Sequence, residues 1–174
     1  LFDNDKTILF VQKSKDDNQM KNIVDAIIEL PFFLKQGVDK ATKDTLSFEN
    51  KSRIITSSSK NSPMSRRTDH VFVTDFAFYS NEKAERLYIN LIPSISQFDS
   101  QLTLISQPNG MNKFYELVQG SELPGNDPGR NQFVTTRIYW WEVFGNDIQW
   151  KRKMIMKYGQ EHWDKYFDMK FISK

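Results

Sequence analysis

His70-Val71-Phe72-Val73-Thr74-Asp75-Phe76-Ala77-Phe78-Tyr79 is the stretch whose reading decides the fold. Val71, Phe72 and Val73 form a continuous β-branched and aromatic run, the pattern of a strand buried on both faces in a parallel sheet. Thr74 and Asp75 stand at its carboxyl end, and open parallel sheets bind ligands beyond that edge. An acid there can hold a Mg²⁺-bound water or orient an attacking water for phosphoryl transfer. It can equally cap the turn that follows the strand. The ten residues alone leave both roles open.

Working outward, the chain has 174 residues, of which 39% are hydrophobic and 26% charged, enough for a single domain with a real core over 1–174. A formal charge of +2 does not by itself argue for a nucleic-acid surface. The absence of cysteine excludes disulfides and thiolate metal sites, and His70 and His162, the two imidazoles, argue against a histidine-rich zinc site. No apolar run approaches the ~20 residues of a membrane-spanning helix, and no secretory leader pattern is present. The first residue is Leu1, and a strand-like run follows at once, so a piece of something longer is expected.

Thr7–Val11 reads as a second buried strand. Ser14 is a candidate N-cap with Asp16 and Asp17 in the first turn, and Met20, Ile23, Val24, Ile27 and Ile28 recur at helical spacing up to Pro31. Strand then helix implies a right-handed crossover on a parallel sheet. Leu30–Val38 reads as a packed apolar connection. Leu46–Phe48 and Arg53–Thr56 flank a Glu49-Asn50-Lys51-Ser52 turn, a hairpin pattern. Thr56–Arg67 is serine-rich and carries Lys60, Arg66 and Arg67, either a solvated connection or a phosphate-contacting loop.

Beyond the central strand, Ala84, Leu87, Tyr88 and Leu91 predict a helix over Asn81–Leu91, with Pro93 ending it. Leu102–Ile105 is a further buried-strand run, and Ser106-Gln107-Pro108-Asn109-Gly110 follows it with polar groups and a turn at the ligand edge of the sheet. Asn112–Val118 reads as helix, Gly120–Asn131 as a surface loop, and Phe133–Trp140 as a strand by alternation. Ile148–Phe167 is helical, its aromatics more often a core stripe than a stacking platform, and Phe167–Ile172 is placed as a short edge strand.

In order, these segments resemble the ATPase domain of phage terminase large subunits, the motors that package DNA into procapsids. Leu30-Pro31-Phe32-Phe33-Leu34-Lys35-Gln36-Gly37 is similar to the family's Leu-Pro-x-Phe-Leu-x-x-Gly segment, and Leu46–Ile55 with Ser57-Ser58-Ser59 to its hairpin and serine stretch. Val71–Phe78 resembles the Walker B strand and its trailing Phe-Ala-Phe. Leu104–Gly110 with Phe114-Tyr115-Glu116-Leu117 resembles the coupling motif, and Trp141–Phe171 the closing region. The resemblance implies an α/β fold: a mostly parallel central sheet flanked by helices, P-loop NTPase-like and of the ASCE type, with a helical C-terminal extension at about 146–167. It implies ATP and Mg²⁺ as cofactors in the intact parent. The implied partners are double-stranded DNA, a portal protein, a small terminase subunit and further copies in a ring, in the host cytoplasm and transiently on the procapsid.

By the same resemblance, Asp75 is the water-orienting acid and a weak Mg²⁺ ligand, and Thr74 stands where the family has its magnesium-associated Asp. Ser106, Gln107, Asn109 and Gly110 sense the nucleotide, and Lys60, Arg66 and Arg67 contact DNA. Two departures matter. None of the seven glycines is followed by Lys-Ser or Lys-Thr, so the phosphate-gripping loop is absent, by truncation or by degeneration. Gln107 replaces the usual Ser or Thr. The chain alone is therefore expected not to hydrolyse ATP. The alternative is a degenerate domain that binds DNA or active subunits without catalysing. A metal nuclease built on Asp69 and Asp75 is the remaining, weakest reading.

Overall fold

The computed structural model describes residues 3–13, 18–58, 68–95, 100–143 and 145–172. Ser14, Asp16, Asp17, Lys60, Arg66 and Arg67 lie outside the described residues. Contacts divide the chain into two compact units, Leu1–Ile105 and Ser106–Lys174.

The first unit is built on a six-stranded sheet. Its strands are β1 (Thr7–Gln12), β2 (Val38–Ala41), β3 (Thr45–Phe48), β4 (Arg53–Ser58), β5 (His70–Thr74) and β6 (Gln101–Ile105), in the spatial order β2-β3-β4-β1-β5-β6. The pairs β4–β1, β1–β5 and β5–β6 are parallel, while β2–β3 and β3–β4 are antiparallel. In register, Leu9, Phe10 and Val11 face Val71, Phe72 and Val73. Valine is fully buried at positions 11, 71 and 73 (0% exposed), as the sequence pattern for the central strand requires.

Helix α1 (Asn18–Glu29) covers one face of this sheet. Its Met20 is buried in a cluster with Leu46, Phe48 and Ile54, and Ile23, Val24 and Ile27 pack against it with Ile8 and Phe10 of β1. Leu9 and Val11 point to the opposite face by strand alternation, so the sheet is apolar on both sides. Helix α2 (Asn81–Ile95) turns Ala84, Leu87 and Leu91 inward, each buried. The β3–β4 hairpin closes with Lys51 in the left-handed region (φ 67°) and paired hydrogen bonds, Lys51 N to Phe48 O (2.9 Å) and Phe48 N to Ser52 O (2.9 Å).

The second unit contains α3 (Lys113–Glu122), α4 (Ile148–Tyr158) and α5 (Gln160–Tyr166). Asn112 caps α3, its Oδ1 accepting from the amides of Phe114 (3.1 Å) and Tyr115 (3.3 Å). Asp147 caps α4 through the Trp150 amide (2.7 Å). Gly159 at φ 88° separates α4 from α5, a backbone conformation that glycine adopts without strain. The core here is aromatic. Trp163 is 1% exposed, with Trp140 at 5.2 Å, Trp150 at 5.8 Å and Phe167 at 4.8 Å between ring centres.

Six local expectations need correction. Gly120–Asn131 is not surface loop throughout, since α3 runs on to Glu122 and buries Gly120 and Ser121. Pro93 does not end its helix: α2 continues to Ile95, and the carbonyl that loses its donor belongs to Ile89, on an exposed stretch where water can serve it. Leu102–Ile105 is not buried on both faces. As β6 it is an outer strand, with Gln101, Thr103 and Ile105 exposed. Leu30–Val38 is not packed, since Phe32 and Phe33 are 86% and 69% exposed and the segment ends in the short strand β2. Phe133–Trp140 alternates in burial but forms no strand. It lies extended and is held by side chains, Ser121 Oγ to Thr135 Oγ1 (2.5 Å) and an ion pair of Arg137 with Glu122. Alternation reports which side is covered, and a ladder also needs a partner backbone. Phe167–Ile172 likewise forms no strand. Its turn is fixed by the Lys170 amide on Asp164 O (2.8 Å) and by Lys170 Nζ on Asp164 Oδ1 (2.8 Å).

Candidate functional site

The candidate site begins where β5 leaves the sheet. Thr74 is the last residue of β5, half-buried and in register with Ile105, the last residue of β6. Asp75 then adopts φ 56° and ψ 30°, in the left-handed region. The next residues form a 3-10 turn over Phe76–Phe78, closed by the Phe78 amide on Asp75 O at 2.9 Å. Phe76 and Ala77 are each 1% exposed, and Tyr79 is buried against Phe76 with ring centres 6.0 Å apart.

The physical cause of the kink is visible in this order. Val73 must enter the sheet core and Phe76 must also be buried, so the two residues between them reverse the chain within one turn. Asp and Asn tolerate the left-handed region better than other non-glycine residues. Asp75 takes that position, and its carboxylate is exposed at the carboxyl rim of a parallel strand. It makes no capping hydrogen bond to the turn it precedes. The capping role left open by the sequence is thus not the one it plays.

The other acid near this strand is placed differently. Asp69 is buried (6% exposed) at the start of β5, accepting from the Thr7 amide (2.8 Å) and from Lys6 Nζ (3.3 Å). A five-residue strand separates it from Asp75, about 20 Å at the usual rise. The two carboxylates cannot share a metal ion, and the nuclease reading falls with that separation. Among the described residues no group of three or more His, Cys, Asp or Glu is arranged to hold a metal.

The segment Ser106–Gly110 opens the second unit. Ser106 Oγ donates to Gln107 O at 3.2 Å, Gln107 is exposed and Pro108 is buried. Asn109 is tied twice: its carbonyl accepts from Asn112 Nδ2 (3.1 Å) and its Oδ1 from Lys165 Nζ (2.8 Å). Gly110 sits at φ 79°, where a side chain would be strained. No local signal could have pointed to Lys165, which lies 56 positions from Asn109 on another element.

This architecture has counterparts among solved structures. The large terminase ATPase domain of Thermus phage P74-26 superposes with a TM-score of 0.68 at 15% identity, over 97% of this chain and 78% of that one. The fold is that of a phage terminase ATPase domain. An arginine-to-alanine mutant of the P74-26 domain gives 0.67 over the same share. The large terminase of a thermophilic bacteriophage gives 0.71 at 12% identity over 98% of this chain, which spans 42% of that larger protein. Neither a family model nor a curated protein sequence matches this chain. The thermophilic phage terminase has been solved in complex with ADP and with ATP-gamma-S.

The terminase ATPase fold implies ATP and Mg²⁺, and the residues present can be tested against both. A nucleotide needs a backbone cradle and a lysine at its phosphates, and no glycine of this chain precedes a lysine. A Mg²⁺ ion bound with phosphates needs one or two carboxylates, and the rim offers Asp75 beside the neutral Thr74. The chain therefore carries no Gly-Lys phosphate loop of the P-loop type, and at the β5 rim it offers one carboxylate. Lys60, Arg66 and Arg67, the sequence candidates for DNA contact, lie outside the described residues. Among the described residues no helix is long and apolar enough to cross a membrane.

Proposed function

We propose that this chain is the sheet core of a DNA-packaging ATPase of the terminase type. Asp75 is the acid that orients the attacking water in the complete motor, and Ser106, Gln107, Asn109 and Gly110 are the segment that senses the nucleotide. The carrying observation is Asp75 itself: an exposed carboxylate held left-handed at the carboxyl rim of a buried parallel strand, in a fold shared with terminase ATPase domains. A water held there would meet a phosphate bound beyond the sheet edge. Double-stranded DNA is then the translocated partner, with a portal protein, a small terminase subunit and further copies in a ring, in the host cytoplasm.

This chain alone does not turn over ATP, because binding and positioning of the phosphates carry most of such catalysis and the loop that supplies them is not among its residues. Phosphate release from Mg·ATP should stay at the blank rate for the 174-residue chain. In the full-length product of the gene, turnover should fall about 100-fold or more with Asp75→Asn, the loss expected for a general base. Turnover by the chain alone, or a full-length enzyme indifferent to Asp75→Asn, refutes the reading. Thr74 and Gln107 favour a second reading, a non-hydrolysing domain that binds DNA or active subunits. A full-length product without turnover that still binds duplex DNA would select it.

A further inference from the structure

We propose that the outward face of α4 is a binding surface for the phosphate backbone of duplex DNA. The helix reads Ile-Gln-Trp-Lys-Arg-Lys-Met-Ile-Met-Lys-Tyr, with Lys151, Arg152, Lys153 and Lys157 and no acidic residue. Its two sides do different work. Trp150, Met154 and Ile155 are half-buried, and Trp150 meets Phe167 at 5.3 Å and Trp163 at 5.8 Å. Lys151 belongs to that inner side, its ammonium 4.9 Å from the centre of the Trp163 ring. Gln149, Arg152, Lys153, Met156 and Lys157 are all exposed. At ~100° per residue these five fall on one stripe of the helix.

Of the acids that flank the helix in sequence, Glu161 is exposed in the first turn of α5, while two others are engaged. Asp147 caps the helix, and Asp164 accepts from Lys170 Nζ and from Gln160 Nε2, each at 2.8 Å. Arg152, Lys153 and Lys157, the last with its ammonium 4.8 Å from the Tyr158 ring centre, present like charge over about 7.5 Å of helix axis, which spans three successive phosphates of one DNA strand at ~3.4 Å spacing. A membrane surface is the poorer match. The apolar side of α4 is spent on the aromatic core, leaving Ile148, Met156 and Tyr158 exposed, the last with its ring against His162, too little to anchor a helix in lipid. The choice of duplex DNA rests on the packaging-motor reading, whereas the charge and exposure of the stripe do not.

The test is anisotropy of a fluorescein-labelled duplex titrated with the chain between about 50 and about 200 mM KCl. Three phosphate contacts contribute ~2.7 to the slope of log K against log salt, roughly a 40-fold weakening over that range. Combined Arg152→Ala, Lys153→Ala and Lys157→Ala should weaken binding about 10-fold or more at the lower salt and reduce the slope by about 2–3. The charge-matched control Lys21→Ala, Lys40→Ala and Lys83→Ala, all exposed in the first unit, should bind as the unmodified chain does. Arg152→Lys should bind within about twofold, as expected of a point-charge contact. Equal binding by the α4 triple variant, an equal loss in the control, or binding to phosphatidylserine vesicles with none to duplex overturns the proposal. Phosphate release by the full-length product reads the nucleotide site separately, so failure of one reading is not failure of the other.

Discussion

Replacing Asp75 by Gly, Asn and Ala separates a carboxylate kept for function from one kept for stability. Its backbone lies at φ 56° and ψ 30°. The left-handed region costs an ordinary L-residue about 1–2 kcal/mol, less for Asp and Asn. Glycine escapes that cost but loses about 0.4–1 kcal/mol through the wider freedom of the unfolded chain. Asp75→Gly should therefore be neutral to about 1 kcal/mol more stable. Asp75→Asn should stay within about 0.5 kcal/mol, because it keeps the same backbone tolerance and the carboxylate makes no capping bond. Asp75→Ala keeps the strain without the tolerance and should lose about 1 kcal/mol. Far-UV circular dichroism during urea unfolding reads the order Gly, Asn, Ala. For a chain of 174 residues, 1 kcal/mol also corresponds to a midpoint shift of about 2–4 °C on heating. A loss of about 1 kcal/mol in Asp75→Asn, or equal losses in Gly and Ala, would show that the charge holds the turn together, and the argument from an unengaged carboxylate would fail.

Two further outcomes follow from the second unit. Trp163→Ala removes the ring at the centre of the aromatic cluster, 1% exposed, and should cost about 3–5 kcal/mol by urea unfolding, against about 1–2 for Trp163→Phe; equal small losses would mean that the cluster is not a core. The hydrogen bonds from Lys170 and then Gln160 hold the Asp164 carboxyl below its ordinary range. A depressed folded-state value stabilises above the unfolded carboxyl pKa and is lost as pH falls through the folded value. Carbon-13 NMR should show Asp164 titrating below a free aspartate and Lys170→Ala raising its midpoint, whereas an unmoved midpoint would refute the pairing.

The elements that announced themselves were those whose side chains carry the period of their backbone. β1, the α1 helix, the β3–β4 hairpin and β5 each bury a face that sequence spacing already marks. β2 was illegible because all four of its residues are exposed, so backbone pairing with β3 alone makes it a strand. The alternation of Phe133–Trp140 misled for the opposite cause, a half-covered face with no ladder beside it. At the site, the position of Thr74-Asp75 could be read, because a buried strand points to its own carboxyl end. The left-handed kink could not, since it arises from burying Val73 and Phe76 on either side. The Lys165–Asn109 bond joins elements that no local pattern connects.

The sheet has two outer strands, and only one of them carries charge. β2 is short and bears Asp39 and Lys40, charges that discourage another chain from stitching onto it. β6, Gln-Leu-Thr-Leu-Ile, carries no charge, pairs with β5 alone among the described residues and turns Ile105 outward at 50% exposure. An uncharged outer strand lacks the safeguard that Asp39 and Lys40 give β2, and a charge placed at Thr103 would supply it.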